Sequence, residues 1–77
     1  MTATREDIRL HIAGVLEVAQ ERVVGPTVLT DLVVDSFRLV ELAIDLQEEY
    51  DVMFGQADMV GLRTVDDLVD LVHSRLP

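Results

Sequence analysis

Apolar residues in this chain recur mainly at intervals of three and four, the spacing of a helix that buries one side. Ile8, Ile12, Val15, Leu16 and Ala19 predict a first helix from about Thr4 to Ala19. Thr4 and Asp7 occupy the positions of a capping box, with Asp in place of the usual Glu. Gly14 weakens this helix locally without ending it. From Gln20 to Val34 the periodicity lapses and Gly25-Pro26 punctuates the chain. The stretch still holds Val23, Val28, Leu29, Leu32, Val33 and Val34. It reads as a long connection that packs across the helices, with a short turn near Leu29 to Leu32.

The strongest helix runs from Ser36 to about Tyr50, with Asp35 as its N-cap. Leu39, Leu42, Ala43, Leu46 and Tyr50 share one face, whereas Phe37, Val40 and Ile44 fall on the opposite side between Glu41 and Glu48. Lining a small core requires one apolar face, so the second stripe meets either another segment of this chain or a partner, and a domain this thin favours the partner. Gly55 to Gly61 predicts one or two helical turns. Thr64, with Asp67 three residues on, predicts a cap for a last helix whose apolar side is Val65, Leu68, Val69, Leu71 and Val72. No repeat, low-complexity stretch or competitive strand pattern interrupts this order. The expected fold is all-α: a small four-helix bundle of three principal helices and one short one, with a long first loop.

Composition narrows the possibilities. The chain has 77 residues, enough for one domain, read here as residues 1–77. A domain this size buries only about 60% of its unfolded surface, so its core is small. With 49% apolar residues it should fold, and with 4% aromatics the core must be aliphatic. The absence of cysteine excludes disulfides and thiolate metal sites. Fifteen acidic residues against six basic ones, a formal net charge of −9, argue against nucleic acid and anionic membrane surfaces. The same charge favours partners with basic docking patches, or serves solubility alone. No apolar run can span a membrane and the N-terminus is unlike a secretory signal, so a cytoplasmic protein is expected. Met1 to Pro77 reads as a complete small protein, expected to be a monomer.

Few residues here could carry chemistry. Ser36 opens the strongest helix, where unpaired N–H groups and the helix dipole favour a phosphate. It suits either a capping role or attachment of a phosphate-linked group. A catalytic serine would need a base and an orienting acid. The histidines, His11 and His73, lie in the terminal helices and read as surface residues, and no nucleophile elbow surrounds Ser36. Asp66, Asp67 and Asp70 read as a solvated helix face, not a metal site. Met53 and Met59 read as core filler, and Tyr50 as a core edge with its hydroxyl outward. An enzyme is therefore not expected.

The block Asp35-Ser36-Phe37, then Val40-Glu41-Leu42, Leu46 and Glu48-Glu49-Tyr50 resembles the acyl carrier proteins. The family pattern is Asp-Ser-Leu, then Val-Glu-Leu, then Leu, then two acids and an aromatic. Asp31-Leu32 fits the family's approach to the motif, and Thr64-Val65 fits the start of its last helix. The resemblance spans nearly the whole chain. It implies that Ser36, flanked by Asp35, carries 4′-phosphopantetheine delivered from coenzyme A by a phosphopantetheinyl transferase. The arm's thiol would hold acyl groups as thioesters, and acyltransferases, ketosynthases or other acyl-processing enzymes would be the partners. It implies a docking face of Asp35, Phe37, Val40, Glu41, Ile44 and Glu48, the same stripe that periodicity set apart. It also implies partial shelter for an acyl chain, with Val28, Leu32, Leu39, Leu42, Leu46 and Leu68 as candidate lining or as plain core.

Four departures bear on the pathway. Phe37 replaces the common Leu, Val33 the usual Gly, Gln47 a frequent acid, and Arg38 an acidic or polar residue. The docking face is thus less uniformly negative than in fatty-acid-synthesis members. With all six basic residues Arg, this points toward polyketide or other specialised metabolism. A peptidyl or aminoacyl carrier of nonribosomal synthesis is the alternative, although its Gly-Gly approach is absent. A fatty-acid-synthesis carrier and an unmodified acidic adaptor complete the set.

Overall fold

Three of the four helices begin where a side chain answers the first backbone N–H groups. The computed structural model describes residues 3–33 and 35–76, with Ser36 described through its backbone; Val34 and Pro77, both named above, lie outside the described residues. Helix α1 spans Arg5–Leu16, α2 Ser36–Tyr50, α3 Gln56–Val60 and α4 Val65–Arg75. Thr4 and Asp7 cap α1 reciprocally: Asp7 N–H donates to Thr4 Oγ1 at 3.1 Å, and Thr4 N–H to Asp7 Oδ2 at 3.0 Å. Thr64 and Asp67 repeat the device on α4, where Asp67 Oδ2 also accepts from Arg63 N–H. At α3, which opens after Gly55, Asp58 Oδ2 takes the Gly55 N–H at 2.8 Å.

Helix ends differ from helix starts. α1 stops at Leu16, earlier than expected, because Glu17 enters the left-handed region at φ 56° and donates to the Gly14 carbonyl. Asp51 does the same for α2 at φ 54°. Both stops use non-glycine residues, so the usual glycine signal is missing. Ala19, predicted helical, is exposed and outside α1.

α1 packs against both α2 and α4. Ile8, Ile12, Leu42, Leu46, Leu68, Val65, Val69 and Val72 are almost completely buried. Among the described residues no polar or charged side chain is buried, so the core is aliphatic, as the composition requires. The long connection carries two 3₁₀ turns, Gln20–Arg22 and Leu29–Asp31, the second where a turn was predicted. It sends Val23, Leu29 and Leu32 into the core. It also docks on the start of α4. Val65 N–H donates to Thr27 O and Asp66 N–H to Gly25 O, both at 2.9 Å, and Leu29 N–H donates to Arg63 O at 2.8 Å. Val28 and Thr64 thereby form an isolated antiparallel bridge. Backbone groups of the loop thus answer N–H groups that the first turn of α4 cannot pair internally.

Candidate functional site

Ser36 is the first residue of α2, the longest helix. Asp35 is extended at φ −148°, ψ 168°, and its Oδ1 accepts the Arg38 N–H at 3.1 Å. The acid therefore fixes the helix start through a cap, which holds the Ser36 backbone at the positive end of the helix dipole. The Ser36 side chain lies outside the described atoms. Its neighbours Asp35 and Phe37 are exposed, Phe37 at 68%.

From Phe37 a stripe runs along the outer side of α2. Val40 and Ile44 are each about half exposed, at 50% and 49%. Glu41 and Glu48 are exposed beside them, while Arg38 is half-buried. The opposite side of α2 holds the buried Leu42, Ala43 and Leu46 and the half-buried Leu39 and Tyr50. The two stripes read from periodicity are thus separate surfaces of one helix. Such apolar exposure flanked by acids suits docking on a surface that offers apolar sockets among basic groups.

Behind the start of α2 lies a small apolar cavity of about 60 Å³, lined by Leu29, Leu39, Leu42, Ala43, Met59, Leu62 and Leu68. Of the residues proposed to shelter a chain, Leu39, Leu42 and Leu68 meet there. Leu32 and Leu46 lie in the core and Val28 is 42% exposed; none of the three is among the residues lining this cavity. Sequence reasoning missed Leu29, Ala43, Met59 and Leu62. Ala43 carried the best available signal: one small side chain among leucines on an inward face leaves unfilled volume.

Other candidates have structural employment. His11 is half-buried, contacts Asp45 Oδ2 through Nε2, and meets the Tyr50 ring edge-on at 5.6 Å. The Tyr50 hydroxyl donates to the Asp7 carbonyl, and burial raises its pKa. His73 is exposed. Asp67 is committed to a cap and Asp70 pairs with Arg5. The bonds to Thr4, Gly55 and Thr64 backbone N–H groups hold the Asp7, Asp58 and Asp67 carboxyls below the usual range. Met53, predicted as core filler, is instead 80% exposed, whereas Met59 is half-buried against the cavity.

Residues 6–72 match the family model for the phosphopantetheine attachment site. The chain belongs to the acyl carrier protein family. A meromycolate extension acyl carrier protein of Mycolicibacterium smegmatis is 38% identical, over 95% of this chain and 79% of its own length. The Mycobacterium leprae protein of the same name is 35% identical, covering 95% and 68%. An acyl carrier protein of Rhodococcus erythropolis is 32% identical, covering 95% and 86%. The carrier's prosthetic group is 4′-phosphopantetheine, and the all-α four-helix architecture agrees with this membership. Carriers of this family work with phosphopantetheinyl transferases and acyl-processing enzymes. Among the described residues no helix is long and apolar enough to cross a membrane.

Proposed function

We propose that this carrier takes 4′-phosphopantetheine at Ser36 and presents acyl thioesters to partner enzymes without catalysing their chemistry. The observation that carries this reading is the Asp35-Ser36 pair at the capped start of a fifteen-residue helix, inside the matched span. A phosphate ester fits that position: first-turn N–H groups and the helix dipole favour negative charge. The exposed flanks Asp35 and Phe37 support access by a modifying enzyme. When attached, the group supplies the thiol that a cysteine-free chain lacks. Asp35 fixes the attachment residue at the helix start. Glu41 and Glu48 steer partners, and Phe37, Val40 and Ile44 provide apolar contact. Leu39, Leu42 and Leu68, with Leu29, Ala43, Met59 and Leu62, exclude water from the beginning of a short acyl chain. Residues 1–77 act as a single carrier domain, in the cytoplasm and as a monomer.

The departures Phe37, Val33, Gln47 and Arg38 support polyketide or other specialised-metabolite assembly. The names of the mycobacterial relatives favour a second reading, service in meromycolate extension. Mass analysis of the acyl group released from the carrier purified from its host separates the two.

The test of attachment is incubation with coenzyme A and a broad-specificity transferase, followed by intact-mass measurement. The wild type gains one phosphopantetheinyl unit, with 3′,5′-ADP as the leaving group, and Ser36→Ala gains none. An unmodified wild type would leave the adaptor reading standing. Loading by an adenylating enzyme in place of an acyltransferase would favour the peptidyl alternative.

A further inference from the structure

Arg75, the last residue of α4, reaches across to α3 and to the segment that leads into it. Its Nη2 lies 2.8 Å from Asp58 Oδ1, and its Nη1 donates to the Met53 carbonyl at 2.9 Å. Asp58 uses its other oxygen to cap α3 through Gly55 N–H. One guanidinium therefore grips the approach to the short helix and the side chain that starts it.

The place held is the roof of the apolar cavity. Met59 in α3 and Leu62 just after it are the α3-side lining of the cavity, which Leu39, Leu42 and Ala43 of α2, Leu29 and Leu68 complete. α3 has five residues, none of them buried, and Val60 is 81% exposed. So short a helix has little stability of its own and depends on what fastens it. The cavity, about 60 Å³, is well under the roughly 150 Å³ that admits a benzene ring. A chain of more than a few carbons enters only if the roof moves.

We infer that Arg75 is a positioning residue that straps α3 down over the cavity and sets how long an acyl chain the carrier shelters. The inference rests on the proposed carriage of acyl chains in this cavity. The strap is polar and partly exposed, with side-chain exposures of 42% for Arg75 and 25% for Asp58. Its release therefore trades protein contacts for water and leaves the apolar core in place. Arg75→Gln removes the charge and the forked grip, whereas Arg75→Lys keeps a cation that reaches Asp58 alone.

Hydrogen exchange on the unmodified chain tests the strap directly. Arg75→Gln should speed exchange of the α3 amides by about 1.5- to fivefold, the range for losing one partly exposed charged contact. Amides of α1 should be unchanged, and Arg75→Lys should restore part of the protection. Equal acceleration throughout the protein, or none in α3, overturns the inference. Cargo is tested by the thermal midpoint of the carrier bearing acetyl or octanoyl thioesters. A sheltered chain stabilises the fold that binds it, so octanoyl raises the wild-type midpoint above acetyl. The increment should be larger in Arg75→Gln, where the roof lifts more readily. An equal or smaller increment in the variant overturns the strap while leaving sheltered carriage intact. No difference between octanoyl and acetyl in either protein overturns sheltered carriage and the strap with it.

Discussion

The Gly25 carbonyl accepts the Asp66 N–H at 2.9 Å, and the same approach brings the Asp66 carboxylate against the open side of Gly25. A Cβ at position 25 would lie 2.5 Å from Asp66 Oδ2. The backbone of Gly25 is not left-handed, so the exposed Asp66 side chain, and not the backbone, opposes a larger residue there. Gly25→Ala should cost about 1 kcal/mol as Asp66 is displaced. In an Asp66→Ala background it should be neutral or stabilising by about 0.5 kcal/mol, because alanine restricts the unfolded chain. Urea denaturation of the four proteins in a double-mutant cycle measures the coupling. Equal effects in both backgrounds would exclude this contact as the reason for glycine.

Glu17 and Asp51 hold left-handed conformations at φ 56° and φ 54°. That geometry costs an L-residue about 1–2 kcal/mol, less for Asp than for Glu. Glu17→Gly should therefore stabilise the fold by up to about 1 kcal/mol, and Asp51→Gly by less. Thermal unfolding of the two variants gives the order; a destabilised Glu17→Gly would contradict it.

Caps set a pH window. Backbone hydrogen bonds lower the pKa of Asp7, Asp58 and Asp67 in the folded protein. Each folded carboxyl thus binds protons less readily than its unfolded counterpart. Its contribution is complete above the unfolded value, about 4 for Asp, and is lost as pH falls through the lower folded value. The stability gap between wild type and Asp67→Asn should be constant from pH 7 to 5 and shrink below about 4. Urea midpoints across that range measure it, and a gap that widens on acidification would reverse the assignment.

On the proposed docking face, charge and apolar contact should separate by salt. Charge reversal at Glu41 or Glu48 should slow phosphopantetheinyl transfer by about 3- to 10-fold at low ionic strength. The loss should fade as salt shortens the screening length. Phe37→Ala should slow transfer at every salt concentration, since its contribution is packing. Stopped-flow or mass-based rates at two ionic strengths check both. A salt-independent effect at Glu41 and Glu48 would remove steering as their role.

Helix starts were more legible in the chain than helix ends. Thr4 with Asp7, Thr64 with Asp67, and Asp35 each announce a cap by residue type, and the N–H groups they answer lie within three residues. The end of α1 had no glycine to announce it, so the helix was read three residues too long. The two faces of α2 were legible because a fifteen-residue helix repeats its pattern several times. The roof of the cavity was not, because α3 is five residues long and its fastening comes from Arg75, seventeen positions beyond Asp58.

Local chemistry and periodicity thus determined the helices, the aliphatic core, the position of Ser36 at a helix start and the amphipathic division of α2, since each depends on residues within a few turns of one another. Tertiary structure alone decided that the long loop would cap α4 with the Gly25 and Thr27 carbonyls. It alone decided that Leu29, Ala43, Met59 and Leu62 would line a cavity, and that Arg75 would reach Asp58 and the Met53 carbonyl. Backbone carbonyls and guanidinium reach carry no sequence period, so their partners become visible only when distant segments share the same space.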